Sequence, residues 1–127
     1  MRLLFQLNVA DRAPAYEQLE QLVAKYVCLG VLEAHERLPS VRAMAGELGI
    51  NPNTVAKAYK LLETKGIIYT IAGKGVFIAD NENAKTAFAQ KCLADFGTAA
   101  AKAKAAGIPI DELLQALHNT YEGGQNA

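Results

Sequence analysis

The tightest constraint in this chain is a short run of punctuation, Leu48-Gly49-Ile50-Asn51-Pro52, set between two helical periodicities. Before it, Val41, Met44, Ala45 and Leu48 form an apolar stripe, and Ser40 stands where a side-chain oxygen caps the first helical amides. After it, Val55, Ala58, Tyr59 and Leu62 repeat at i, i+3, i+4, i+7, with Asn51 as cap and Pro52 at the first helical position. Gly49 supplies the left-handed backbone of a tight turn. The spacing predicts a helix over 40–48 and a second over 51–65, stopped at Gly66.

The flanks extend the pattern. Residues 3–9 (Leu3, Leu4, Phe5, Leu7, Val9) read as a strand or an extended arm. Asp11 to Pro14 opens a helix whose inner face carries Tyr16, Leu19, Val23 and Tyr26, with Gly30 as its stop and Leu38-Pro39 breaking the next connection. Downstream, residues 67–71 and 75–79 are β-branched and aromatic, and Ala72-Gly73-Lys74-Gly75 is the tip of a hairpin between them. Three helices followed by a two-stranded hairpin is the order of a winged helix-turn-helix. The expected fold class is therefore mainly α with a small β-hairpin: a winged domain over 1–80 and a helical arm over 81–127.

In the arm, residues 84–106 hold ten alanines and no proline, and predict a long helix with Phe88, Cys92, Phe96, Ala99 and Ala103 on one side and a weak point at Gly97. Gly107 and Pro109 punctuate. A last helix follows, with Asp111 and Glu112 near its positive end, a stripe of Ile110, Leu114, Leu117 and Tyr121, and a frayed tail over 122–127. Two such amphipathic helices cannot close a core alone; they need the winged domain or another chain.

Charge excludes little until it is read locally. The 127 residues carry 13 Lys+Arg and 13 Asp+Glu, a net charge of zero. From Ser40 to Gly75, Arg42, Lys57, Lys60, Lys65 and Lys74 face only Glu47 and Glu63, a local +3. Cys28 and Cys92 are too few for a secreted disulfide scaffold and read as buried, reduced thiols. No signal peptide or membrane span is visible, so a soluble cytoplasmic protein is expected. His35 and His118 are isolated, no nucleophile–base constellation is present, and Gly73-Lys74-Gly75 is followed by a strand rather than a phosphate-binding helix. Neither an enzyme nor a metal or other cofactor is expected.

In helix-turn-helix proteins the start of the second helix enters the major groove. Asn53 and Thr54 suit that place: asparagine can bond adenine at two atoms, and threonine can reach a phosphate or a thymine methyl. The same residues also read as plain capping and solvent-facing polarity. Arg42, Lys57 and the hairpin-tip Lys74 add cations around them.

Over residues 10–79 the chain resembles the GntR-type winged helix-turn-helix regulators. The matching features are Pro14-Ala-Tyr-Glu-Gln-Leu, Leu38-Pro-Ser-Val-Arg, Asn53-Thr-Val-Ala-Lys-Ala-Tyr, Leu62-Glu-Thr-Lys-Gly-Ile and Gly73-Lys-Gly-Val-Phe-Ile. The resemblance implies DNA contacts at Ser40, Arg42, Asn51, Asn53, Thr54, Lys57 and the wing residues Gly73, Lys74 and Gly75. It departs at Asn51-Pro52, where many relatives carry Ser-Arg, so an arginine that reads bases elsewhere is missing. Only 47 residues follow Asp80, which is similar to the YtrA-type subfamily, whose short two-helix arm dimerises. Phe88, Cys92, Phe96, Ile110, Leu114, Leu117 and Tyr121 are the implied dimer residues. A dimeric repressor on two-fold operator DNA follows as the expected function, with an unidentified small-molecule effector as a further partner and no membrane. The alternatives are a winged-helix protein-interaction module, or a small-ligand sensor with a pocket between arm and wing near Phe88, Cys92 and Phe96.

Overall fold

The structure, a computed structural model, describes residues 5–123. The chain forms two compact units that divide between Ala89 and Gln90. The first holds α1 (Ala15–Cys28), β1 (Arg37–Leu38), α2 (Val41–Leu48), α3 (Pro52–Thr64), β2 (Ile68–Ile71) and β3 (Gly75–Ile78). It also holds the first turns of α4 (Glu82–Ala105), while the second unit holds the remainder of α4 and α5 (Ile110–Gly123).

The helix at the centre of the first unit is α3. Its four predicted inward residues, Val55, Ala58, Tyr59 and Leu62, are all buried. They pack on α1, α2 and β2, against a core that includes Leu19, Val23, Met44, Ile67 and Ile78. Gly66 takes φ +76, and the Ile67 amide returns to the Leu62 carbonyl at 2.9 Å, so the glycine stop closes the last turn and launches β2. Asn83 of α4 donates to the Gly66 carbonyl at 3.3 Å and Ala84 is buried, which seats the start of α4 on this unit.

Two polar ties fix α3 in place. The Tyr59 hydroxyl donates to the Pro39 carbonyl at 2.7 Å, just ahead of α2. Lys65, the C-cap of α3, pairs with the buried Glu20 of α1. A buried carboxylate without that ammonium would be left uncompensated.

Several expectations need correction. The hairpin is part of a three-stranded antiparallel sheet, ordered β1-β3-β2, because Arg37-Leu38 pairs with Val76 and Phe77. Two residues are too few to show an alternating pattern. Of the predicted strand or arm over 3–9, Leu3 and Leu4 lie outside the described residues. The rest is irregular, with Phe5 buried edge-on to Tyr26 at 5.6 Å. The helix α4 runs through Gly97 without a break. The expected fraying over 122–127 lies outside the described residues beyond Gly123, whereas Glu122 and Gly123 are helical. Both thiols are free, but Cys28 is only half-buried and Cys92 is exposed, since within its unit α4 has only α5 to pack against.

Burial pushes the Tyr59 phenol above its ordinary range, so it stays a protonated donor to Pro39. A raised folded-state pKa contributes stability that is present below the ordinary tyrosine pKa of about 10 and is lost above it. Tyr59→Phe removes the bond and should cost about 1 kcal/mol in urea unfolding at neutral pH. The variant should also lose less stability than the parent as pH rises past about 10.

Candidate DNA-binding interface

The caps that start α2 and α3 also expose polar groups. Ser40 Oγ accepts from the Ala43 amide at 3.1 Å, which leaves its hydroxyl proton free to donate outward. Asn51 Oδ1 accepts from the Asn53 amide at 2.8 Å, which leaves its NH₂ free. Gly49 at φ +69 makes the turn between the two helices. Asn53 is exposed and Thr54 half-buried, one residue before the buried Val55.

Electrostatics separates these two helices from the others. The first turns of α1, α4 and α5 carry Glu17, Glu82 and the pair Asp111 and Glu112. The first turns of α2 and α3 carry no acid. Acidic side chains stabilise a helix N-terminus by roughly 0.3–1 kcal/mol, and a cation there works against the helix. Arg42 nevertheless sits exposed in the first turn of α2, and no ion pair to it is formed among the described residues. Such an arrangement leaves both N-termini open to an external anion.

Lys57 lies one turn after Asn53. Its Nζ stands 4.0 Å from the centroid of the Tyr16 ring. The contact draws the side chain to α1 and orders it by a cation–π attraction. Helical periodicity places Tyr16 on the inner face of α1 and gives no hint of this long-range pairing.

The wing is the β2–β3 hairpin. Ile71 pairs with Gly75, and the Lys74 amide returns to the Ile71 carbonyl at 2.9 Å, so the connection is Ala72-Gly73-Lys74. Gly73 (φ +76) meets nothing where a Cβ would stand, and is needed for its backbone alone. Gly75 (φ +127) is also favoured by its backbone, and a Cβ there would stand 2.7 Å from Arg37 Nε, in the exposed, flexible arginine side chain that lies over it. No sequence pattern marks Arg37, because its strand is too short to show one. Lys74 is exposed at the tip.

Of the predicted dimer residues, Phe88 is half-buried in the first unit and Cys92 is exposed in the second. Phe96, Ile110, Leu114, Leu117 and Tyr121 are exposed, Tyr121 at 83% and Ile110 at 69%. Phe96, Leu113 and Leu117 line an apolar groove of about 310 Å³ between α4 and α5, floored in part by Ala99, Ala100 and Ala116. Neither Phe88 nor Cys92 lines it. Among the described residues no group of three or more His, Cys, Asp or Glu could hold a metal ion, and no helix is long and apolar enough to cross a membrane.

Residues 15–78 match the family described as bacterial regulatory proteins, gntR family. The chain belongs to the gntR family of bacterial regulatory proteins. Transcriptional regulation is the class of function to which this winged domain belongs. The chain is 43% identical over 83 residues to the HTH-type transcriptional repressor YtrA of Bacillus subtilis, covering 65% of this chain and 62% of that protein. It thus spans about three fifths of YtrA's length. It is 30% identical over 115 residues to the HTH-type regulator YhcF of the same organism, covering 87% of this chain and 93% of YhcF. A crystal structure of a transcriptional regulator from Oenococcus oeni superposes with a TM-score of 0.73 at 35% identity, covering 91% of this chain and 97% of that one. These gntR-family relatives show the expected winged helix-turn-helix fold.

Capping and outward chemistry at Asn51 can be separated. Asn51→Ala should destabilise the first unit by about 1 kcal/mol in thermal or urea unfolding, whereas Asn51→Asp keeps an equally good cap and should unfold near the parent.

Proposed function

We propose that this protein is a cytoplasmic, dimeric repressor that binds two-fold operator DNA in a sequence-specific way. The observation that carries the reading is the pair of acid-free helix N-termini at Ser40–Arg42 and Asn51–Thr54, presented by one turn and accompanied by unpaired cations. Docked in the major groove, α3 offers Asn53 and the free amide of Asn51 to base edges, while Thr54 and the α3 N-terminus meet a phosphate. Ser40, Arg42 and Lys57 hold the backbone and set the register. The wing reaches the adjoining backbone or minor groove with Lys74, and Gly73 and Gly75 allow close approach. Proline at position 52 donates no amide and no guanidinium, so base reading rests on the neighbouring amides and hydroxyls.

Similarity to YtrA, a transcriptional repressor, supports repression. The arm supports dimerisation: α5 buries none of its residues, and Leu93, Phe96, Ile110, Leu114 and Tyr121 leave a broad apolar surface on one unit. A second copy covering that surface gains about 25 cal/mol for each Å² removed from water. A two-fold dimer places the half-sites roughly 34 Å apart, or a multiple of that.

Anisotropy titration with duplex DNA from upstream of the protein's own gene, across a salt series, tests the DNA reading. Affinity should fall steeply with salt. Arg42→Ala should weaken binding about tenfold or more, the loss of one charge-assisted hydrogen-bonding group, and Lys74→Ala should weaken it by less. Absence of binding at low salt by the folded protein would overturn the reading. Sedimentation at micromolar concentration should show a dimer, and Leu114→Asp with Leu117→Asp should leave a folded monomer.

A further inference from the structure

The solvent face of the wing sheet holds a cation with no role so far. Strand register sets Leu38, Val76 and Thr70 abreast on one face and Arg37, Phe77 and Tyr69 abreast on the other. The buried Leu38 marks the first as the core face. Gly75, two residues before Phe77, shares the outer face with Arg37. Because Gly75 has no side chain, the guanidinium lies along its backbone. A Cβ at Gly75 would stand 2.7 Å from Arg37 Nε and 3.2 Å from both Cζ and Nη2. The arginine is thus laid against the residue next to Lys74. Tyr69 and Phe77, stacked at 5.6 Å, occupy the same outer face, and His35 bonds Tyr69 Oη at 2.8 Å.

Among the described residues no carboxylate pairs with Arg37. The adjacent Glu36 carboxylate is turned to the Glu33 amide, from which it accepts at 2.9 Å. The guanidinium is therefore exposed, unpaired and lies along the Gly75 backbone. A planar fork free of a carboxylate suits a phosphate, which it meets with two parallel hydrogen bonds.

We propose that Arg37 is a phosphate-binding residue of the wing, acting beside Lys74 on the DNA backbone. The inference rests on the DNA reading above. Its test uses the full-length protein and a duplex of arbitrary sequence, about 30 base pairs or three helical turns long. Arg37→Gln should weaken binding roughly three- to tenfold and reduce the slope of log affinity against log salt by about one for each phosphate no longer neutralised. Arg37→Lys should recover the slope but only part of the affinity, since a point charge replaces the fork. A misfolded variant would lower the active fraction without changing the slope. Unchanged affinity and slope in Arg37→Gln, while the parent binds, would overturn this inference and leave the DNA reading standing. Failure of the parent itself to bind would overturn both.

Discussion

The burial of one stripe on α3 is the constraint on which everything else in the winged unit depends. Val55, Ala58, Tyr59 and Leu62 form the buried stripe of the helix, and α1, α2 and β2 close around them. A helix committed on one side cannot roll. Its opposite side and its first turn must then face outward, whatever they carry. The Tyr59–Pro39 bond and the Glu20–Lys65 pair act on the same helix near its middle and its C-terminal end. Between them, they tie α3 to α1 and to the segment just ahead of α2. The polar residues at the start of α3 are thus positioned by contacts made elsewhere on the helix, none of which involves the polar residues themselves.

Most of this was legible because helices announce themselves twice, through period and through punctuation. Ser40, Gly49, Asn51 and Gly66 perform the capping and stopping tasks that their chemistry suggests, and the α3 stripe is the buried set. What was not legible depends on partners far apart in the chain. The β1 strand exists only because Arg37 and Leu38 meet Phe77 and Val76, and a two-residue strand has no pattern of its own. Lys57 meets Tyr16 for the same kind of reason. Cys92 failed differently. Helical spacing grouped it with Phe88, Phe96, Ala99 and Ala103, but α4 carries no pronounced apolar stripe and buries only Ala84, so spacing alone could not say that Cys92 would be covered.

The zero net charge takes on a different meaning once the ion pairs are placed. Lys65 is neutralised by Glu20 at the C-terminal end of α3, where a cation also suits the helix dipole. Arg37 and Arg42, neither of them in an ion pair among the described residues, lie at the wing and at the start of α2. Acids meanwhile collect in the first turns of α1, α4 and α5, where they stabilise those helices. Around the helix-turn-helix the charges are therefore sorted into a compensated pair at the C-terminal end of α3 and cations without an ion pair at the start of α2 and at the wing. Whole-chain charge averages over that sorting and cannot report it.

This sorting also bears on why such a domain would carry an arm. On the proposed docking, a few cations would release only a few counterions, so one winged unit alone would hold a duplex weakly at physiological salt. Two units joined through α4 and α5 would turn the second encounter into an intramolecular one, at an effective concentration set by the linkage rather than by the cell. On that reading the apolar groove at Phe96, Leu113 and Leu117 would serve the same need as the cations of the proposed interface. Association would supply grip without adding charge, and grip without charge favours matched half-sites over arbitrary DNA, because only correctly spaced sites engage both units.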